Sequence, residues 1–200
     1  MKLWLATSNP GKVKEFLGGG LEVELLPGLA GIAPPEENGE TFEANAILKA
    51  KYYAAHATGP VLAEDSGLEV DALDGAPGVY SARFAERAGE GLGEGHSDDA
   101  NNAFLLRRLA GVPERKARYV CVIALADGEN VLGTFRGAVE GEIVDERRGE
   151  GGFGYDPYFF CPALGKTFAE ATLAEKATVS HRGQAISRVR EWIDATKNTQ

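Results

Sequence analysis

Lys116 to Ala126 and Val131 to Val144 read as two long strands joined by Asp127-Gly128-Glu129-Asn130. A short junction built around Asp-Gly is a hairpin signal, because glycine accepts the positive φ that tight hairpin turns require. Strands joined this way run antiparallel. The middle of the chain therefore excludes a purely parallel, doubly wound sheet. On both sides of the hairpin, short strands and helices interleave, which predicts an α/β fold with a mixed sheet flanked by helices. The 200 residues are expected to form a single domain, 1–200.

Local signals fill in the order. Lys2 to Thr7 predicts a buried strand ending at a Ser8-Asn9-Pro10-Gly11 turn, and Lys12 to Leu17 a brief helix. Leu21 to Leu26 alternates as a half-exposed strand. Thr41 is placed to cap a helix from Phe42 to about Thr58, and Ser97 to cap another. Val61-Leu62-Ala63 predicts a strand that breaks at Glu64-Asp65-Ser66-Gly67, with a second strand over Leu68 to Leu73. Glu86 to Gly95 predicts a mobile surface loop. Thr172-Leu173-Ala174-Glu175 is a capping box, and Ser180 caps a last helix with Ile186, Val189 and Ile193 on one stripe.

Composition narrows the function classes. Thirty acidic against 21 basic side chains give a net charge of −9, which repels nucleic-acid backbones and anionic membranes. No apolar run approaches the ~18 residues of a membrane span. Met1-Lys2 leads straight into a strand, so no secretory signal is expected. Cys121 and Cys161 lack CxxC spacing, which fits a reducing, cytoplasmic setting.

Six places could carry chemistry. Thr7-Ser8-Asn9-Pro10-Gly11-Lys12 lies between a strand and a helix, where backbone N–H groups and a lysine suit an anion; it is equally a plain turn with a solvated lysine. Glu64 and Asp65 end an apolar strand and point to opposite faces, so one of them should face a cleft, to hold a hard cation or orient water. Glu36, Glu37 and Glu40 form a second acidic cluster, either a complement to a Mg²⁺ site or a solvated loop. Asn45 and Lys49 share one face of the long helix, where the lysine either snorkels or faces a cleft. Gly149 to Gly154 matches GxGxxG, but Tyr155-Asp156-Pro157 follows where a dinucleotide fold needs a helix. What remains there is a glycine loop presenting Phe153, Tyr155 and Asp156, suited to stacking on a base or to an edge strand. His181 and Arg182 open the last helix against its dipole, which calls for a compensating carboxylate, phosphate or carbonyl. Together these groups suit a nucleoside triphosphate.

Read in order, Thr7 to Lys12, Phe42-Glu43-Ala44-Asn45-Ala46, Asp65-Ser66-Gly67-Leu68, Gly75 to Arg83, Gly152-Phe153-Gly154-Tyr155-Asp156-Pro157 and Ser180-His181-Arg182-Gly183-Gln184-Ala185 resemble the inosine/xanthosine triphosphate pyrophosphatase family. The match runs from residue 3 to about residue 186. The resemblance implies an elongated α/β fold with two lobes and a central cleft, a homodimer, and Mg²⁺-dependent hydrolysis of ITP, dITP and XTP to monophosphate and pyrophosphate. It also implies roles. Thr7, Ser8, Asn9, Pro10, Gly11 and Lys12 would bind the triphosphate. Glu37 and Asp65 would hold the metal, Asp65 would accept the proton of the attacking water, and Ser66 would touch the substrate. Phe153, Gly154, Tyr155, Asp156, Lys176, His181 and Arg182 would surround the base, with Lys49 as a further phosphate or water contact. Glu64 departs from the family pattern, where Asp is common. Competing readings are a pyrophosphatase for pyrimidine or modified nucleotides and a non-catalytic nucleotide sensor; the presence of Lys12, Glu37 and Asp65 argues against the sensor.

Overall fold

Strand β1 (Trp4–Leu5) is two residues long, yet it carries a parallel neighbour on each side: β2 (Glu24–Leu25) and β3 (Val61–Val70). Such parallel pairs need crossovers, supplied by α1 (Pro10–Gly18) and α2 (Phe42–Ala54). Helices α3 (Phe84–Arg87) and α4 (Asp98–Arg108) follow, then β4 (Lys116–Asp127) and β5 (Asn130–Ile143). Strands β6 (Phe159–Cys161) and β7 (Lys166–Thr167) and helices α5 (Leu173–Val179) and α6 (His181–Lys197) complete the chain. The computed structural model describes residues 2–89 and 97–197.

One open seven-stranded sheet has the order β2-β1-β3-β4-β5-β6-β7. Its first strands pair in parallel, whereas β5–β6 and β6–β7 are antiparallel. The expected α/β fold with a mixed sheet is therefore present, with a two-residue Gly128-Glu129 turn at the hairpin. Gly128 takes a φ of +54° there, the conformation a side chain would resist.

Contacts divide the chain into two compact units: Met1–Asp65, Cys121–Ala138 and Ser180–Gln200 form one, and Ser66–Val120 with Val139–Val179 the other. Each has its own core. In the first unit Leu5, Phe16, Leu62, Ile123, Leu125, Ile186 and Val189 are buried together, so the stripe read on α6 does face a core. In the second, Leu68, Phe104, Leu105, Leu109, Tyr119, Phe159 and Phe168 pack together, with the Tyr119 and Phe168 rings stacked at 5.8 Å. Fully burying side chains of this size stabilises by ~1.5–3 kcal/mol each. No helix among the described residues is long and apolar enough to cross a membrane.

Local expectations change in part. The break foreseen at Glu64 to Gly67 is absent: β3 runs unbroken from Val61 to Val70, with its polar residues carried inside the strand. Helix α1 begins at Pro10 rather than Lys12, because Asn9 caps it and Pro10 fits the first turn, where no N–H is needed. Strands β6 and β7 are too short to show alternation in the sequence. The mobile loop expected over Glu86 to Gly95 falls from residue 90 onward outside the described residues.

Candidate active site

Within β3 the adjacent carboxylates Glu64 and Asp65 reach two different sets of partners, as the two-residue period of a strand dictates. Glu64 is met by α1 and α6. Lys12 Nζ forms an ion pair with Glu64 Oε1, and Arg182 Nη2 lies 3.4 Å from Glu64 Oε2. Arg182 also pairs with Glu15, three residues beyond Lys12 on the same helix face, and the Cys121 thiol donates to Glu64 at 3.3 Å. The Arg182 side chain is only 1% exposed. Burial pushes the Glu64 carboxyl up, but the charges of Lys12, Arg182 and Lys49 outweigh it and hold it well below the usual carboxylate range. Burial likewise opposes charge on Arg182, and Glu64 and Glu15 more than offset it.

Asp65 is met by α2. Asn45 and Lys49, four residues apart on that helix, both reach it: Lys49 Nζ donates to Asp65 Oδ1 at 2.8 Å and Asn45 Nδ2 to Asp65 Oδ2 at 3.2 Å. Lys49 also donates to Glu37 Oε2 at 2.9 Å. The lysine thus bridges two carboxylates instead of snorkelling. Asn45 has a second task, accepting the Gly39 N–H at 2.8 Å and so anchoring the loop that carries Glu37. Burial raises the Asp65 pKa; Lys49 works against that, while Glu37 and Glu64 add to it, and the net shift is upward. Lys49 is held protonated because Asp65, Glu37 and Glu64 outweigh its own burial. Glu36 and Glu40, grouped with Glu37 by sequence, are exposed.

The Thr7–Lys12 segment is more committed than its sequence suggests. Asn9 Oδ1 accepts the Lys12 N–H at 3.1 Å, and Thr7 Oγ1 accepts the Asn9 N–H at 3.3 Å. Pro10 has no N–H, so Gly11 is left as the first-turn donor with no partner among the described residues. Ser8, Asn9 and Pro10 are exposed. Ser180 Oγ accepts the Gly183 N–H at 3.0 Å, capping α6 as read, and His181 behind it is buried. Gly137 of β5 makes this start possible, since any Cβ there would drive into the His181 carbonyl.

The second unit gathers the glycine loop. Asp156 Oδ2 accepts the Phe153 N–H at 3.0 Å and the Lys176 ammonium at 2.7 Å. Lys176 Nζ lies 5.1 Å from the centre of the Phe153 ring, within cation–π range. The Tyr155 hydroxyl donates to the Ser81 carbonyl at 2.7 Å, and burial pushes that phenol well up, so it stays protonated. No helix follows Gly154, in keeping with the rejection of a dinucleotide fold. Ser66, on β3, belongs to this unit and is half-buried.

Among the described residues no group of three or more His, Cys, Asp or Glu is arranged around a metal position. A two-carboxylate set remains. Glu37 and Asp65 with Lys49 carry one positive and two negative charges, and the ammonium already sits as a cation between them. Mg²⁺ is commonly held by one or two carboxylates plus substrate phosphates and waters, so this donor set fits it. Glu15, Lys49 and Asn45 are the parts that motif reading underweighted. The spacing signals were present, at i, i+3 from Lys12 and at i, i+4 along α2.

Comparison with known proteins gives the same picture over nearly the whole length. The Ham1 family model matches residues 3–192. A dITP/XTP pyrophosphatase of Exiguobacterium is 53% identical over 197 residues, 96% of this chain and 97% of the relative. That of Thermus thermophilus is 50% identical over 198 residues, covering 96% and 91%. The solved Staphylococcus aureus Ham1 protein superposes with a TM-score of 0.84 at 39% identity, covering 98% of this chain and 100% of that one. Motifs, sheet and end-to-end similarity agree, and the chain belongs to the Ham1 family.

Proposed function

We propose that this chain is a nucleoside triphosphate pyrophosphatase that hydrolyses deaminated purine nucleotides such as dITP and XTP to the monophosphate and pyrophosphate. The observation that carries this is the Asp65–Lys49–Glu37 set, in which a buried Asp65 is joined through Lys49 to a part-exposed Glu37, a base and an acidic cation site in one arrangement, in a chain half identical to dITP/XTP pyrophosphatases.

In this reading Asp65 takes the proton of the water that attacks the α-phosphorus, and pyrophosphate leaves. Its raised pKa suits a general base, which works best with a pKa nearer the operating pH. Lys49 and Asn45 fix the orientation of the Asp65 carboxylate. Lys12, whose ammonium has three donors, keeps one on Glu64 and offers others to phosphate oxygens with the Gly11 N–H. A donor placed where charge develops contributes about 3–4 kcal/mol. Glu37 and Asp65 would hold Mg²⁺, which when bound neutralises phosphate charge and lowers the pKa of a bound water.

In the second unit Phe153–Asp156 and Lys176 are the candidates for the base, with Ser66 as a substrate contact; His181 and Arg182 of the first unit are carried over from the family resemblance alone. Phe153 supplies a stacking face and Lys176 a donor. Donors facing the purine 6-position accept a 6-oxo group and meet the amino group of adenine donor to donor. A site built this way rejects the wrong partner by as much as ~10⁴-fold. Cytoplasmic residence and a homodimer belong to the same reading. Both cysteines are free and buried, which suits a reducing compartment.

The test is steady-state kinetics on dITP, XTP, ITP, GTP, dATP and a pyrimidine triphosphate, with and without Mg²⁺. The expected result is a kcat/KM for dITP and XTP at least about 100-fold above that for dATP, abolished by chelation. Equal turnover of all purines, a pyrimidine preference, or full activity in excess chelator would each overturn the corresponding part.

A further inference from the structure

Helix α4 sends two side chains to one residue of the glycine loop. Asp98 Oδ2 accepts the Gly154 N–H at 2.7 Å, and Asn102 Nδ2 donates to the Gly154 carbonyl at 2.9 Å. The two positions are four apart and share a helix face. Their contacts are not redundant, because the N–H belongs to the 153–154 peptide plane and the carbonyl to the 154–155 plane. Between those planes lie only the φ and ψ of Gly154, the two soft torsions of the most permissive residue. Gly154 sits at φ +62°. The rest of the loop is tied elsewhere, through Asp156 to Phe153 and Lys176 and through Tyr155 to Ser81. Gly154 is thus the joint between Phe153 and Tyr155, and α4 grips it on both sides.

Asn102 is a costly choice for stability alone. It is 4% exposed, and its Oδ1 has no hydrogen-bond partner among the described residues. A buried acceptor left unpaired is destabilising, so an apolar residue would serve a mere packing role better. What asparagine adds is the donor to Gly154.

We propose that Asp98 and Asn102 are positioning residues for base recognition, fixing both peptide planes around Gly154 so that Phe153, joined through Gly154 to the buried Tyr155, meets the base in one geometry. The inference rests on the reading of this loop as the base-binding element. A loop free to swing about Gly154 would have to be ordered at each binding event, and the cost would appear in KM and in selectivity.

Kinetics of the intact protein on dITP and dATP test this. Asp98→Ala and Asn102→Asp, the latter setting a carboxylate against the Gly154 carbonyl, should each raise KM for dITP about tenfold and narrow the dITP-to-dATP ratio of kcat/KM. Asp98→Asn keeps an acceptor oxygen for the Gly154 N–H and should stay within about threefold of the parent. The double variant Asp98→Ala/Asn102→Asp should be no more than about twofold worse than the poorer single, since one joint cannot be freed twice. Asp98 is exposed, so its variants carry the test should Asn102→Asp not fold. KM values within about twofold of the parent, an Asp98→Asn variant as impaired as Asp98→Ala, or a loss confined to kcat would overturn the inference. A parent protein that releases no pyrophosphate from dITP would instead defeat the functional reading itself.

Discussion

Asp65→Asn should lower kcat for dITP by about 10²–10⁴-fold, the usual worth of a positioned general base, while moving Tm by less than about 5 °C. The two halves follow from the same surroundings. Asp65 lies buried between Lys49, which donates to Oδ1, and Asn45, which donates to Oδ2. Asparagine has the same shape and can still accept from Lys49, and burial already disfavours the charge it removes. What it cannot do is take a proton from water. The structural loss is one ionic contact of Lys49, which keeps Glu37, and the Asn45 hydrogen bond, since the new amide nitrogen meets Asn45 Nδ2 donor to donor. At this chain length about 1–2 kcal/mol corresponds to only a few degrees. Circular-dichroism melting and pyrophosphate release on the same preparation read both quantities. A variant that retains more than about a tenth of the activity would remove Asp65 from the base role.

Arg182→Ala should have the opposite profile, a large loss of stability. Its guanidinium is enclosed between Glu15 and Glu64, and removing it leaves two carboxylates facing each other out of water. Breaking a buried pair in this way costs about 3–5 kcal/mol, or roughly 6–20 °C in Tm at ~2–4 °C per kcal/mol. A Tm within about 2 °C of the parent would contradict the network. The same variant, if it folds at low temperature, should show a narrowed preference for dITP over dATP, since Arg182 opens the helix start assigned to the base.

The pH dependence of this network has a definite sign. Glu64 has a folded-state pKa depressed below its unfolded value. Its contribution to stability is therefore complete above the unfolded value of ~4.3 and is lost as pH falls toward the folded one. Parent protein should lose stability on acidification below about pH 4. In Arg182→Ala that acid loss should be smaller and should end at higher pH, because one of the charges that depress Glu64 is gone while the unfolded value, where the loss begins, is unchanged.

How much of this was legible beforehand depended on the range of the signal. The hairpin, the caps at Thr41 and Ser97 and the α6 stripe are written in neighbouring residues, and all three are present in the fold. The unbroken strand through Glu64–Gly67 runs against its local signal, because small and charged residues usually mark turns. Here countercharges from α1, α2 and α6 let the strand carry carboxylates through the core. Which of the two carboxylates met which helix was not legible, since local period fixes only that they diverge. Lys12 therefore reaches Glu64, and Lys49 is the cation that reaches Asp65. Asp98 looked like a helix-dipole residue and nothing more; its hold on Gly154 spans 56 residues of sequence, beyond any motif.

The central claim is that water attacks the α-phosphorus of a deaminated purine triphosphate. Hydrolysis of dITP in ¹⁸O-labelled water reads that directly by mass spectrometry of both products. The label should appear in the monophosphate and be absent from the pyrophosphate. Label in the pyrophosphate, or release of inorganic phosphate with a nucleoside diphosphate, would contradict it.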